Sequence, residues 1–489
     1  MVNKSLLVTL KGIVILLVLF LLLFVYISGF ENAFIDDAFI VLKYSQNLKQ
    51  SGSWGFFAER TTNTVTTPLK VVLLALGDLL VNNMLQTVKW LLIFEFLFLF
   101  VFLNLLSQRW FGNYCFGFMV FLAFLFNPLL VSTLGVGGVL FALLMIITLY
   151  AFVSGYLFFL SLVLALLTLA RPEGFLFLLV LICFISNWEK KFKLLAWYLC
   201  FLSPWLLFSW IKLGSLFPDT LLIKINDLSF QKWKFFNGIF LYFYAYPRQM
   251  FFSLFWVLVA VFGMRKRFGD FKKIYALIVF SAVHFIGYAF LKVPPYHWYY
   301  VPELVSIIFG GALAGYLAYE KLKEKKSIKS CWILIFLLIF PAIGIAFEFF
   351  RQGYPLKEMP VHTNCATFNQ YKEIGLWIKE NVEPETIIVL KGTEIGVLAF
   401  LSERYLLNVF SERYWLKKYA DSGNFLVKLN YRWLKLDSPL TCKTPLSLIA
   451  LRAGREIADS RVEIIKSWDI SSKWISQVNK LVLVREKRD

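Results

Sequence analysis

Long apolar runs recur from residue 6 to about residue 350, separated by short polar stretches, and a run of roughly 20 apolar residues is enough to cross a bilayer as a helix. Their centres, near residues 18, 97, 122, 146, 163, 181, 203, 256, 282, 311 and 340, predict about eleven membrane helices. The first run, Leu6 to Ser28, is too long for the core of a signal peptide and no small-residue cleavage site follows it, so an uncleaved anchor is expected. Pro68 to Val81 is apolar but short, which predicts an interfacial or re-entrant helix on the outer face.

From about Gly353 the long runs stop. TFNQYKEIGLWIKENV has the spacing of an amphipathic helix, while TIIVL, YLLNV and KLVLV read as extended segments. The fold class expected is a polytopic α-helical membrane protein, residues 1–352 with an outer loop at 30–86, followed by a C-terminal α/β extracytoplasmic domain at 353–489.

Composition excludes a soluble globular chain: 59% of residues are hydrophobic, 19% are aromatic and the mean hydropathy is +0.68. The formal charge of +19 does not point to nucleic acid, because the basic residues cluster between apolar runs, in NWEKKFK (187–193), RKRFGDFKK (265–273) and EKLKEKKSIK (320–329). Such clusters mark cytoplasmic loops. The N-terminus is then cytoplasmic in a plasma-membrane protein, and Asp36–Asp37, RPEG (171–174), GSLFPDTLLIK (214–224) and VPPYHWYY (293–300) all fall on the outer side. One shared outward-facing site is expected.

Cys115, Cys183, Cys200 and Cys331 lie in or beside predicted helices, where small apolar packing is the ordinary role. Cys365 and Cys442 belong to the outer region, where a disulfide between them is chemically allowed. No CxxC or His-rich metal spacing occurs, so a divalent cation is neither required nor ruled out. Glu95, inside the second span, is expected to pair with another helix and is assigned no role.

The run FIDDAFIVLKYSQNLKQSGSWGFFAERTTNTVTTPL resembles the first outer loop of bacterial GT-C glycosyltransferases, particularly the arabinofuranosyltransferase-like group. NPLL (127–130), LARPEG (169–174), the PDT–Lys loop, YHWYYVP (296–302) and YKEIGLWIKENVEPETIIVLKGTEIGVLAFLSER resemble the same group in the same order. Departures are LGVGGVLF (134–141) in place of a carboxylate-bearing turn, Lys43 in place of Arg, and Asn408 in place of a frequent Asp.

The resemblance implies an inverting transfer of a sugar, with arabinofuranose one such pentofuranose, from a polyprenyl-phosphate donor to a hydroxyl of a cell-envelope glycan or lipid. A sugar hydroxyl is a weak nucleophile, so a carboxylate that takes its proton accelerates attack by about 10²–10⁴. Asp36 matches the family position for that base, against the plainer reading of a solvated loop acid. Asp37 is open to three readings: orienting the acceptor, holding a cation, or capping the helix that starts at Ala38. Arg171, Lys224 and His297 are the expected donor-phosphate ligands, with Glu173 and Lys43 in support. Each has a plainer alternative: a snorkelling arginine, an exposed lysine and an interfacial aromatic belt. A transporter or flippase of lipid-linked sugars is the alternative function, although no internal repeat is visible and the charges lie mostly at helix ends. A scaffold with an outer binding domain would not need acids gathered on one face.

Overall fold

A computed structural model describes all residues except 1–3, 31–32, 226–232, 264–272, 439, 441–444, 453, 458–460, 471–477 and 487–489. The basic cluster at 265–273 lies almost wholly, and Cys442 entirely, outside the described residues, so the proposed Cys365–Cys442 pairing does too.

The chain opens with α1 (Lys4–Ser28), α2 (Asp36–Ser51), α3 (Pro68–Val81) and α4 (Met84–Phe111). It continues through α5 (Cys115–Leu125), the single turn α6 (Pro128–Val131), α7 (Gly138–Ser154), α8 (Leu157–Ala170), α9 (Gly174–Phe184) and α10 (Trp188–Lys212). Then come α11 (Thr220–Ile225), α12 (Phe235–Ala245), α13 (Pro247–Gly263), α14 (Ile274–Leu291), α15 (Val301–Glu324) and α16 (Lys329–Gln352). Every predicted centre falls inside one of these helices, and five helical segments are long and apolar enough to cross a membrane: Met84–Phe111, Trp188–Lys212, Ile274–Leu291, His297–Glu324 and Lys329–Gln352. The molecule is a helical integral membrane protein.

The sequence punctuates these helices as backbone chemistry requires. The side chains of Asn83, Asn127 and Asn187 accept amide hydrogens at the starts of α4, α6 and α10, and Gly52, Gly112 and Gly155 end α2, α4 and α7 in the left-handed conformation. The short α3 is pinned by charge. Lys70 donates to Glu95 on α4 at 2.5 Å, both side chains buried, and Asp78 accepts from Lys49 and Thr87 at 2.8 Å. Glu95 thus has the interhelical partner its position demanded; unpaired, a charge there would cost several kcal/mol, of order 3–5.

The C-terminal region contains α17 (Phe368–Asn381), β1 (Ile387–Lys391), α18 (Gly396–Ser402), β2 (Tyr405–Leu407), α19 (Leu416–Ser422) and α20 (Phe425–Asn430). It ends with β3 (Leu446–Arg452), β4 (Val462–Asp469) and β5 (Val478–Glu486). The five strands form a mixed sheet in the order β2-β1-β3-β5-β4, parallel across β2, β1 and β3 and antiparallel across β3, β5 and β4. The extended readings at TIIVL, YLLNV and KLVLV coincide with β1, β2 and β5. Sequence reasoning missed β3 and β4; β4 is an edge strand exposed along most of its length, so it carries no sustained apolar run.

This region docks on α2. Phe39 stacks on Phe368 with ring centroids 5.2 Å apart and meets Phe400 at 5.6 Å. Gly396 permits the approach, since a Cβ there would lie 2.2 Å from the Asp36 carbonyl oxygen.

Candidate active site

The first turn of α2 carries both acids, and consecutive helical residues point about 100° apart. Asp36 turns toward the C-terminal region. Its Oδ2 accepts from the Gly396 amide at 2.9 Å and its Oδ1 from the Val397 amide at 2.8 Å. These are the first amides of α18, which have no partner within their own helix, and a carboxylate satisfies both their hydrogen-bonding need and the local positive dipole. Burial, followed by the charge of Glu394, pushes Asp36 up to about 8, against the pull of the two amides.

Asp37 turns the other way and is half-buried. It lines a cavity with Ile40, Val41, the Thr64–Thr67 stretch, Val136, Thr220, Lys224, Trp298, Tyr299 and Phe410. Burial raises its pKa, while Lys224 and then Arg171 hold it down. Helix α2 begins at Asp36, preceded by Ile35 with no side-chain cap bond, so Asp37 is not the cap of a helix starting at Ala38. The capping carboxylate is Asp36, and the helix it caps is α18.

Lys224 is buried on α11, its Nζ 3.8 Å from the centroid of the Tyr296 ring and 5.1 Å from that of Phe410. The exposed-lysine reading therefore fails. Arg171 lies behind the cavity wall, 5.3 Å from the centroid of the Tyr299 ring, with Nε and Nη2 donating to Glu173 Oε1 at 3.3 and 2.7 Å. Its Nη1 is buried with no protein partner, as is Glu173 Oε2. Burial works against the charge on both, yet their pairing wins: Arg171 is raised above the ordinary guanidinium value and Glu173 is held down to about 2. Tyr288 also donates to Glu173.

His297 departs from the expected cation. Its Nε2 lies 3.0 Å from the Ser132 carbonyl, which can only accept, so that nitrogen carries the proton, and Nδ1 is buried without a partner. A buried ring with no acid beside it is neutral, and His297 ties the His297–Tyr300 turn to the 127–134 turn instead of lining the cavity. Lys43 also stays out of the cavity: it donates to Gln46 at 3.3 Å, with Glu403 and Lys379 as charged neighbours.

Several site residues had no assigned role in the sequence. Thr67 lines the cavity with a buried hydroxyl that has no partner, although TTNTVTTP was already part of the loop motif. The LGVGGVLF turn, lacking the family's carboxylate, serves close packing: Gly137 has φ +103° and a Cβ on it would lie 3.2 Å from Thr67 Cγ2. Arg413 had no signal at all. It pairs with Asp219 through Nε at 2.8 Å and donates to Ser215 at 3.2 Å and to the Leu213 carbonyl at 2.5 Å, locking the 213–219 loop against the C-terminal region. Asn63 joins the same knot through Ser209, Ser215 and the backbone of Asp219.

The free volume of the cavity is about 30 Å³, room for a water. Among the described residues no group of three or more His, Cys, Asp or Glu side chains is gathered to hold a metal ion.

No protein-family model and no curated protein matches the sequence. Structure does. ArnT from Cupriavidus metallidurans bound to undecaprenyl phosphate aligns with a TM-score of 0.55 over 97% of this chain and 98% of ArnT, at 12% identity. The chain has the ArnT fold. ArnT in the apo state gives 0.53 at 13% identity, covering 98% of each chain. The mycobacterial arabinofuranosyltransferase AftD gives 0.51 at 10% identity over 97% of this chain and 40% of AftD. The likeness to these solved structures thus covers nearly the whole chain.

Proposed function

We propose that the chain is an inverting membrane glycosyltransferase that takes its sugar from a polyprenyl-phosphate donor, with Asp37 as the general base. The observation that carries this reading is a half-buried carboxylate at the first outer turn, facing a buried lysine and a hydroxyl-bearing wall, within the ArnT fold. The solved ArnT complex holds undecaprenyl phosphate, which supports a lipid-phosphate donor here.

In the reaction Asp37 takes the proton of the acceptor hydroxyl as its oxygen attacks the anomeric carbon from the face opposite the phosphate. The new carbon–oxygen bond forms, the bond to the phosphate oxygen breaks, and the lipid phosphate leaves with the electron pair. Lys224 meets that charge, and Arg171, with Nη1 still able to donate, reinforces it from behind Tyr299. Glu173 orients Arg171. Asp36 takes no part in proton transfer; both of its oxygens already hold α18. A pentofuranose such as arabinofuranose is the sugar and a cell-envelope glycan or lipid the acceptor. The site faces outward from the plasma membrane, with the N-terminus cytoplasmic and the sheet region outside.

The test is transfer by purified full-length protein supplied with polyprenyl-phosphate sugars and membrane-extracted acceptors, with and without chelator. Donor consumption lost in Asp37→Asn while donor binding persists supports the reading. Binding without consumption in the wild type would favour the flippase, and loss in the chelator arm would add a metal.

A further inference from the structure

We infer that residues 416–437 form a basic, apolar foot that rests on an anionic bilayer surface beside the end of α10. The segment carries Lys417, Lys418, Lys428, Arg432 and Lys435 against only Asp421 and Asp437. Three of its large side chains are turned outward: Phe425 is 76% exposed, Leu426 69% and Trp433 46%. Phenylalanine and leucine at such exposure are costly in water, and covering them is favourable.

The fold sets the height of this patch. Helix α10 is one of the segments long and apolar enough to span, so its last turn marks a membrane boundary. Trp210 in that turn donates through Nε1 to the Leu429 carbonyl at 3.0 Å, and its ring meets Trp433 at 6.3 Å. Past the helix end, the Phe217 amide donates to Asn430 Oδ1 at 2.9 Å, and Gly214 packs against the Trp433 carbonyl and Leu434. The foot is therefore tied to the boundary on both sides of the 213–217 turn.

Continuity and charge identify the occupant. Leu207, Phe208 and Ile211 are exposed apolar residues of α10, and Phe217, Phe425, Leu426 and Trp433 are exposed in the turn and the segment tied to the end of that helix. Lys212, exposed in the last turn of α10, and Lys417, Lys428, Arg432 and Lys435 flank it. Apolar side chains that reach the acyl boundary with cations at headgroup level are the composition of an interfacial anchor, the cations drawn to anionic lipid. The inference is independent of the chemistry assigned to Asp37. It touches the cavity only through the loop that the foot grips, since Thr220 and Lys224 follow that loop directly.

The experiment is hydrogen exchange of the full-length protein in nanodiscs of phosphatidylcholine alone and of phosphatidylcholine with phosphatidylglycerol. Amides of 416–437 should exchange several-fold more slowly with the anionic lipid, and raising salt from about 50 to about 500 mM should erase that difference, because the Debye length shrinks several-fold. Lys417→Gln/Lys428→Gln/Lys435→Gln should abolish the lipid dependence, and Phe425→Ser/Leu426→Ser should speed exchange in both discs, with β5 amides unchanged. Equal exchange of the wild type in both discs, or protection that appears only on adding acceptor glycan, would overturn the inference; the wild-type arms decide it even if a variant fails to fold.

Discussion

The two faces of the first turn of α2 differ in everything except sequence position. On one, Asp36 is enclosed, with both oxygens occupied by α18 amides supplied by residues 360 and 361 positions away. On the other, Asp37 borders a cavity with Lys224 and a threonine wall, with Lys224 and Arg171 as its charged neighbours. A carboxylate bound through each oxygen to the backbone of another element holds a structure together, whereas one that faces a cation across a cavity can exchange a proton with what enters it. The difference teaches that an acidic pair need not be a catalytic pair; here one member couples the sheet region to the helix and the other is placed by that coupling.

The largest effect should separate the two directly. Asp37→Asn is expected to lower turnover by about 10²–10⁴ with KM for the donor little changed, measured as initial transfer rates. Asp36→Asn should act through the dock, lowering melting temperature and raising protease sensitivity of the C-terminal region; if turnover instead collapses at unchanged stability, the roles are reversed.

Next in size, Lys224→Met should raise the donor KM by roughly 10- to 100-fold, the value of a charge-assisted hydrogen bond to phosphate, about 1.5–3 kcal/mol. Titrating donor against initial rate checks this, and an unchanged KM would remove Lys224 from the phosphate site. Gly396→Ala attacks the dock without substituting either acid. Its Cβ would lie 2.2 Å from the Asp36 carbonyl, so α18 must shift, a cost of about 1–3 kcal/mol that thermal unfolding would register.

The pH dependence of the dock sharpens the comparison further. Asp36 titrates near 3.8 when unperturbed and near 8 in the folded molecule, so the folded state holds its proton more tightly. The stability it contributes is fully present below pH 4 and is lost as pH rises toward 8; burial shifts Glu394 in the same direction. Melting temperature should fall across this window in the wild type and fall less in Asp36→Asn.

Much of the fold is legible in single stretches of chain. The apolar runs at α4, α10, α14, α15 and α16 are long enough to declare themselves, and the asparagines and glycines that bound the helices act within a few residues of where they sit. TIIVL and KLVLV read as strands because β-branched and apolar residues fill the buried centre of the sheet, while the exposed edge β4 gave no such signal. His297 shows the opposite case: a histidine among aromatics at a helix start resembles a ligand until the Ser132 carbonyl, 165 positions away, accepts its Nε2 hydrogen bond.

The sequence alone determined that this chain lives in a membrane, where its long apolar helices lie, and that an acidic pair follows the first of them, because hydrophobic burial, capping and helix periodicity act over a few residues. Which acid faces the cavity, why Gly396 and Arg413 matter, and how Glu95 is neutralised were decided only by the tertiary structure. Those outcomes depend on partners tens to hundreds of residues distant, and the energy of a buried charge is set by whichever group the fold brings within about 3 Å of it.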